Sequence, residues 1–467
     1  MLCLTLTGPT MEKNEQTLKK SGALADVLEL RLDCIDCKNQ SELKMAELFP
    51  SLTDKPVILT CRRKSDGGLF TSNEINRFKL IKKVSKGNFS YVDLESDLHK
   101  KRFEKSLAER KIVIIKSYHN TAETPSDFIG IFKRLCTCNC IPKLSVKINK
   151  TDDLIALYKF SQTIPKDQKH ILIGMGNFGV PSRILYKKFG SFLTYCSDRE
   201  IAPGMLNIKD MKNLYRADKV TDKTDIFAVI GNPVLHSKSP SIHNSAFRKI
   251  GFDGVYIPCE TDDCRKFITF AELVGLNGFS VTAPFKTEII PYLGIVSDEC
   301  KKTGACNTVV RAHNTWKGLN TDYMACEKLF SDAKKKNVIV LGAGGAARAL
   351  VSFFVSKKSY VTVFNRTEER AQATASCFGC KYDSIANLKN YSKKADIVIR
   401  AVSTNTDNAK ALKFEGSETV CDLYYKPEMT SFLKRAQKEG CRIITGLDFL
   451  LEQAKFQFKA FTGTPFP

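Results

Sequence analysis

The sequence predicts an α/β chain: an N-terminal (β/α)8 barrel followed by two further α/β domains, the last of them a Rossmann fold. Three observations predict it. Eight short apolar runs alternate with amphipathic stretches: Leu2–Thr7, Val27–Leu32, Val57–Cys61, Tyr91–Leu94, Ile112–Tyr118, Pro142–Lys147, Ile171–Met175 and Phe192–Tyr195. That is the strand count of a closed parallel barrel. Later, Asn337-Val-Ile-Val-Leu-Gly342-Ala-Gly344-Gly345-Ala346-Ala347-Arg348 reads as a strand, a glycine turn and a helix start. Finally, 467 residues exceed what one hydrophobic core serves.

Ionisable residues close the early runs: Glu29 and Arg31, Arg62, Glu95, His119, Lys143 and Arg183. Barrel active sites are built at the carboxyl ends of strands, and so many charges on one rim exceed what a structural ion pair needs. A lysine inside such a barrel, beside arginines, has its amine freed for imine formation with a ketone. Alternation puts Lys143 and Lys147 on the same face as Ser145, so both qualify. His119, expected just after strand five, suits a proton shuttle. The arginines suit a substrate carboxylate.

Composition narrows the partners. Lys plus Arg outnumber Asp plus Glu by 72 to 50, a formal net charge of +22. The lysines are scattered in pairs, and no helix-turn-helix, zinc finger or stacking-aromatic motif accompanies them, so small anionic ligands are favoured over nucleic acid. No apolar run reaches the roughly 18 residues of a membrane span. The 17 cysteines come without a cleavable leader and are expected to be reduced, which implies a cytoplasmic protein. Cys136, Cys138 and Cys140 share one side of an extended segment without a second Cys or His pair, so ordinary thiols are expected and no metal.

The second half carries its own constellations. Asp210 to Asp225 is polar, and a linker is expected at 212–224. After the strand Ile226–Gly231 comes Gly231-Asn-Pro233-Val-Leu-His236-Ser237-Lys-Ser239-Pro240, whose hydroxyls suit a carboxylate or a helix cap equally. Next are Gly278-Phe-Ser280-Val-Thr282-Ala-Pro284-Phe-Lys286, then Asn307-Thr308 and Gly318-Leu-Asn320-Thr321-Asp322. A lysine and an aspartate near one ketone make a proton relay. Gly342, Gly344, Gly345 and Ala346 form the turn and helix start that receive a pyrophosphate. The next strand ends in Asn365-Arg366-Thr367, where Arg366 in place of an acid favours the 2′-phosphate of NADP. In the last stretch Leu447, Leu450, Leu451, Ala454 and Phe458 have helical spacing, and Gln453 reads as exposed.

Taken together, Val27-Leu-Glu29-Leu-Arg31-Leu-Asp33, Thr60-Cys-Arg62, Ser117-Tyr-His119, Pro142-Lys143-Leu and Gly174-Met-Gly176-Asn-Phe-Gly179-Val-Pro-Ser182-Arg183 resemble type I 3-dehydroquinate dehydratase. The resemblance implies that Lys143, rather than Lys147, forms the iminium, that His119 moves the protons, and that Glu29, Arg31, Arg62 and Arg183 line the substrate pocket. Two places depart from that family. Asp66-Gly67-Gly68 replaces a stretch ending Glu-Gly-Gly whose glutamate orients the histidine. Ile201-Ala202-Pro203-Gly204-Met205 replaces Ser-Ala-Pro-Gly-Gln, turning two polar contacts of the closing loop apolar.

The second set of strings resembles shikimate dehydrogenase. It implies Lys286 and Asp322 as the catalytic pair, with Ser237, Ser239, Thr282, Asn307, Tyr425 and Gln453 at the substrate. Gly342, Gly344, Gly345, Ala346, Asn365, Arg366, Thr367 and Gly446 fall to the cofactor, and the strand ends at Ala401-Val-Ser403-Thr404-Asn405 and Asp422-Leu-Tyr-Tyr425-Lys-Pro427 to the cofactor cleft. In this order the halves resemble the bifunctional enzymes of plants and some bacteria, which take 3-dehydroquinate to 3-dehydroshikimate and then, with NADPH, to shikimate. The expected architecture is a (β/α)8 barrel fused to a two-domain dehydrogenase with an α/β substrate domain and a Rossmann NADP-binding domain. Its expected spans are 1–211, a 212–224 linker, 225–325 and 326–445, with a 446–467 helix returning to the substrate domain. The rival readings are a quinate- or shikimate-oxidising dehydrogenase and a basic nucleic-acid-binding relic. The relic requires lost catalytic groups, yet Lys143, His119, Lys286 and Asp322 are present.

Overall fold

A computed structural model describes residues 1–136, 140–199, 203–390, 395–402 and 409–467. The chain divides into two compact units, Met1–Asp225 with Asp253–Gly275, and Ile226–Phe252 with Leu276–Pro467. Among the described residues no helix is long and apolar enough to cross a membrane.

In the first unit, β1 (Leu2–Leu6), β2 (Val27–Arg31), β3 (Val57–Thr60), β4 (Tyr91–Glu95), β5 (Val113–Asn120), β6 (Cys140–Lys147), β7 (Ile171–Met175) and β8 (Thr194–Cys196) lie in the order β7-β6-β5-β4-β3-β2-β1-β8. Among the described residues the strand pairings of this sheet are parallel, from β2 on β1 to β7 on β6. The seam between β7 and β8 is joined where the Phe192 N–H donates to the His170 carbonyl at 2.7 Å and the Leu172 N–H to Ser191 Oγ at 3.0 Å. Period-two alternation stacks the interior in layers. Cys3, Val27, Ile58, Ile115, Ile141 and Ile171 form an apolar floor with Tyr195. Two residues further along the same strands stand Thr5, Glu29, Thr60, Ser117 and Lys143, all buried. His119 lies within β5 and not after it, because the β5–β6 ladder continues through His119 opposite Ser145 and Asn120 opposite Val146.

The segment expected as a linker is packed: Tyr215, Ala217 and Val220 are buried. The same unit holds β10 (Gly254–Glu260) and the helix Cys264–Val274. This hairpin is pinned to the helix Thr151–Ser161, since Thr151 donates through N and Oγ1 to Asp262 at 3.0 and 2.6 Å, and Lys266 pairs with Asp152 at 2.6 Å.

In the second unit, β9 (Asp225–Gly231), β11 (Leu276–Val281), β13 (Thr308–Ala312), β14 (Thr315–Leu319) and β12 (Ile295–Val296) lie side by side in that order. A separate parallel sheet runs β17 (Lys381–Ser384), β16 (Tyr360–Asn365), β15 (Asn337–Leu341), β18 (Ile397–Arg400), β19 (Thr419–Asp422), β20 (Arg442–Ile444). That is the doubly wound order, with the switch point between β15 and β18. The last helix, Gly446–Thr462, opens with a Thr445–Asp448 capping box. Its buried face is Phe449, Gln453, Ala454, Gln457 and Phe458, while Leu451 is 37 % exposed. The leucine stripe read from the sequence is therefore rotated, and Gln453 is buried. The cause is polar: Gln457 Nε2 donates to Thr308 Oγ1 at 3.0 Å and to the Asn307 carbonyl at 3.3 Å.

Candidate active sites

In the barrel, Lys143 Nζ donates to Asp93 Oδ2 at 2.9 Å and to the Tyr195 hydroxyl at 3.0 Å, with the tyrosine ring centroid 4.1 Å away. Ser117 Oγ donates to the other Asp93 oxygen at 2.6 Å, and Arg62 Nη2 lies 2.8 Å from Asp93. Arg62 also reaches Glu95 at 2.8 Å and Ser117 Oγ at 3.0 Å, and Glu95 is ion-paired in turn with the fully buried Arg77 of the helix Glu74–Val84. Arg31 forks onto Asp33 at 2.9 and 2.6 Å, and Glu29 accepts from Thr60 at 2.9 Å. Lys147 stands at the rim: a Cβ on Gly176, whose φ is +83°, would come within 2.7 Å of its Nζ.

Electrostatics separates these groups. Burial pushes the Asp93 carboxyl up, but Arg62 and Lys143 outweigh it and hold it well below the usual carboxylate range. For Arg62, burial works downward and is outweighed by Asp93 and Glu95, so it stays firmly cationic. Burial, then the charges of Arg62 and Lys143, keep the His119 imidazole well below its ordinary value, hence neutral near pH 7. Its buried Nδ1 has no hydrogen-bond partner among the described residues. Arg183 is different. It is buried in the helix Val180–Ile184, its Nε donates to the Gly174 carbonyl at 3.2 Å, and among the described residues no carboxylate pairs with it. Burial brings its guanidinium down to about 10. Arg31 and Arg62 are thus already charge-paired, whereas Arg183 is a buried cation without a carboxylate partner among the described residues.

Sequence reasoning missed Asp93 and Tyr195, strand residues with no motif around them, and gave Ser117 no role although it opens the string Ser117-Tyr-His119. Asp66, which stands where the dehydratase family has its glutamate, accepts from Arg63 Nε at 2.7 Å. The adjacent arginine captures it within a single helical turn, Lys64–Asp66. Met205 packs against the apolar floor; Cys138, Ile201 and Ala202 lie outside the described residues.

The second unit brings together four predicted residues. Lys286 Nζ donates to Asp322 Oδ2 at 2.6 Å, and the other Asp322 oxygen accepts from Asn307 Nδ2 at 2.8 Å. The Thr321 N–H and Thr308 Oγ1 donate to Asn307 Oδ1 at 2.8 and 2.9 Å, which fixes the amide's orientation. Gln453 Oε1 accepts from Thr321 Oγ1 at 3.2 Å. The Lys286 side chain keeps 15 % of its surface exposed, so the ammonium is anchored on one side and open on the other. Ser237 Oγ accepts from the Ser239 N–H at 3.2 Å at the start of the helix Ser239–Lys249. Tyr425 reaches that loop, with Lys238 Nζ 5.4 Å from its ring and Lys426 Nζ donating to the His236 carbonyl at 2.8 Å. Thr282, just after β11, donates its N–H to the Ile230 carbonyl at 2.9 Å.

The dinucleotide turn fits its expected ligand. Gly342 has φ +121°, and a Cβ there would fall 2.4 Å from the Ala401 carbonyl oxygen. Gly344 has open space, and the helix Gly345–Ser356, with Ala346 in its first turn, presents its N-terminus. A Cβ on Gly345 would lie 2.9 Å from the Lys286 stem. Asn365 donates to the Thr367 carbonyl at 2.9 Å, and Arg366 is exposed beside them with no acid at that strand end. Gly446 has a packing reason to be glycine, since a Cβ would meet the Leu423 carbonyl oxygen at 2.5 Å. Ser403, Thr404 and Asn405 lie outside the described residues.

A lysine-bearing parallel barrel and a Lys–Asp pair beside a dinucleotide turn define a two-activity enzyme, a lyase joined to a nicotinamide-dependent oxidoreductase, acting on small molecules. The type I 3-dehydroquinase family matches residues 2–222, the shikimate dehydrogenase substrate binding domain residues 229–309, and the shikimate / quinate 5-dehydrogenase family residues 324–419. The chain is 29 % identical over 503 residues to the chloroplastic bifunctional 3-dehydroquinate dehydratase/shikimate dehydrogenase of Arabidopsis thaliana, covering 100 % of this chain and 83 % of the relative. It is 29 % identical over 469 residues to the shikimate biosynthesis protein AroDE of Chlamydia pneumoniae, covering 98 % and 94 %. With the shikimate dehydrogenase (NADP(+)) of Pyrococcus abyssi it shares 35 % over 245 residues, 51 % of this chain and 92 % of the relative. The chain belongs to the bifunctional 3-dehydroquinate dehydratase/shikimate dehydrogenase family of the shikimate pathway, and the shikimate dehydrogenases its second half resembles are NADP(+) enzymes.

Proposed function

We propose that Lys143 forms an imine with the ketone of 3-dehydroquinate and that the second site reduces the resulting 3-dehydroshikimate to shikimate. The observation that carries the first half is a buried lysine amine sharing one barrel interior with a neutral histidine and an arginine that lacks a carboxylate partner among the described residues. Arg183 takes the substrate carboxylate, which supplies the buried guanidinium with its missing counter-charge. The Lys143 amine adds to the ketone and water departs, leaving an iminium that acidifies the adjacent C–H. His119, neutral and with an unspent ring nitrogen, accepts that proton and returns it to the departing hydroxyl, so that water leaves and the base is restored. Hydrolysis of the iminium then frees Lys143.

In the second site NADPH, when bound, supplies hydride to the ketone carbon. Lys286 gives a proton to the ketone oxygen, while Asp322, oriented by Asn307, holds the ammonium in place. Ser237, Ser239, Thr282, Tyr425 and Gln453 contact the substrate, Gly342 to Ala346 cradle the pyrophosphate, and Arg366 with Asn365 and Thr367 holds the 2′-phosphate. We place the activity in the cytoplasm, where the described cysteines, all free thiols, stay reduced. Borohydride added during turnover of 3-dehydroquinate should fix substrate mass on the peptide bearing Lys143. Mass on Lys147 instead, or on neither lysine, overturns the reading.

A further inference from the structure

We propose that Tyr195 is a catalytic residue of the dehydratase, the hydroxyl that carries protons from the Lys143 nitrogen to the ketone oxygen while the imine forms. Imine formation from an ammonium needs two such transfers. In the first, the C–N bond forms, the carbonyl π bond breaks, and one proton passes from nitrogen to oxygen, converting R–NH3⁺ and O=C to R–NH2⁺–C–OH. In the second, another proton follows the same path, the C–O bond breaks, and water leaves R–NH⁺=C. Charge and atoms balance without an outside acid or base, provided one group touches the nitrogen and reaches an oxygen two bonds away.

Tyr195 is placed for this. Its oxygen accepts from Lys143 Nζ at 3.0 Å, and among the described residues that is the hydroxyl's only hydrogen-bond partner. The phenol has one proton and two lone pairs, so its own O–H remains free to donate to the carbonyl oxygen of the carbon that Nζ attacks. The ring is 6 % exposed, rooted in the apolar floor, and faces Cys3 across the β1–β8 pair, which holds the hydroxyl at one height in the barrel. Burial raises the phenol well above its ordinary value, so it stays protonated and able to donate. Asp93, the other partner of Lys143, cannot serve. It carries Arg62 and Ser117 as well as the lysine and is held well below the carboxylate range, so it anchors the ammonium without taking its proton. His119 is left for the carbon acid and the leaving hydroxyl.

The inference rests on the Lys143 reading, and one experiment separates the two. The full chain is mixed with 3-dehydroquinate, quenched with borohydride at intervals, and the mass of the Lys143 peptide is followed. In Tyr195→Phe the adduct should form about 10²-fold more slowly, the scale of a lost positioned proton carrier. Dehydrogenase activity should be unchanged, and 3-dehydroshikimate should still bind the barrel with an unaltered Kd. Adduct formation at the unmodified rate overturns the relay and leaves Lys143 standing. No adduct in the unmodified chain overturns the Lys143 reading itself. Should Tyr195→Phe not fold, 3-fluorotyrosine at the same position keeps the hydroxyl and lowers its pKa. The alkaline limb of the trapping rate should then move to lower pH, and an unmoved limb overturns the relay.

Discussion

Arg183→Met should raise the stability of the barrel while weakening its hold on substrate. The guanidinium is buried with no carboxylate beside it among the described residues, and burial brings its pKa to about 10, against an ordinary value of about 12.5. At about 1.36 kcal/mol per pKa unit, the empty barrel bears a desolvation cost on the order of 3 kcal/mol for this one charge. The sign follows from linkage. A cation with a depressed folded pKa costs the full amount at every pH below that value and is relieved only as pH rises through it, so neutral-pH assays see all of it. An apolar side chain of similar length removes the cost, and replacing buried charge with packed hydrophobic volume gains about 1–4 kcal/mol. At about 2–4 °C per kcal/mol for a domain of this size, the barrel's melting transition should rise by several degrees. The same change removes a charged hydrogen bond to the substrate carboxylate worth about 1.5–3 kcal/mol, so kcat/KM for 3-dehydroquinate should fall about 10- to 150-fold. Calorimetry of the full chain with and without substrate, beside steady-state kinetics, reads both. Lowered stability with unchanged kcat/KM would show that Arg183 is a structural residue and refute the argument.

The other expectations concern separate sites. Lys286→Ala should lower kcat of the dehydrogenase by about 10²-fold or more with little change in KM for NADPH; a raised cofactor KM at unchanged turnover counts against the proton-donor role. Arg366→Ala should erode the preference for NADPH over NADH by about 1.5–3 kcal/mol, measured as the ratio of kcat/KM for the two cofactors, and equal use of both by the unmodified chain refutes the assignment. Met205→Gln should lower the barrel's urea midpoint by the equivalent of about 1 kcal/mol, since an amide would replace a side chain packed on the apolar floor. The sequence expectation ran the other way, with Ile201→Ser and Met205→Gln together restoring lost substrate contacts, and a raised kcat/KM in the double variant would restore that view.

The barrel was legible because its strands advertise themselves at both ends: apolar runs start them, and Arg31, Arg62 and His119 finish them where a parallel barrel keeps its chemistry. Alternation even placed Lys143 in the interior, although it left Lys147 equally placed until the pairing with Asp93 was seen. Asp93 itself sits in Tyr-Val-Asp-Leu-Glu, and nothing local distinguishes an aspartate facing a lysine 50 residues away from one facing solvent. Tyr195 was hidden for the opposite reason, since an aromatic in a strand is ordinary core. Gln453 was misjudged because helical periodicity counts apolar side chains, and here the amides of Gln453 and Gln457 occupy the buried face to satisfy Asn307, Thr308 and Thr321.

The glycine at 345 changes how the dinucleotide motif can be used. Such glycines are normally taken as a signature of nucleotide affinity, but here the space left by the missing side chain is filled by the Lys286 stem. A substitution at 345 would displace Lys286, the lysine proposed for the reductive site, even if the nucleotide still bound. Selection on that position therefore acts through turnover as well as affinity. Among diverging copies of this chain, an alanine or larger residue at 345 would mark a lineage that has given up reduction while its fold, and even its taste for nucleotides, persists.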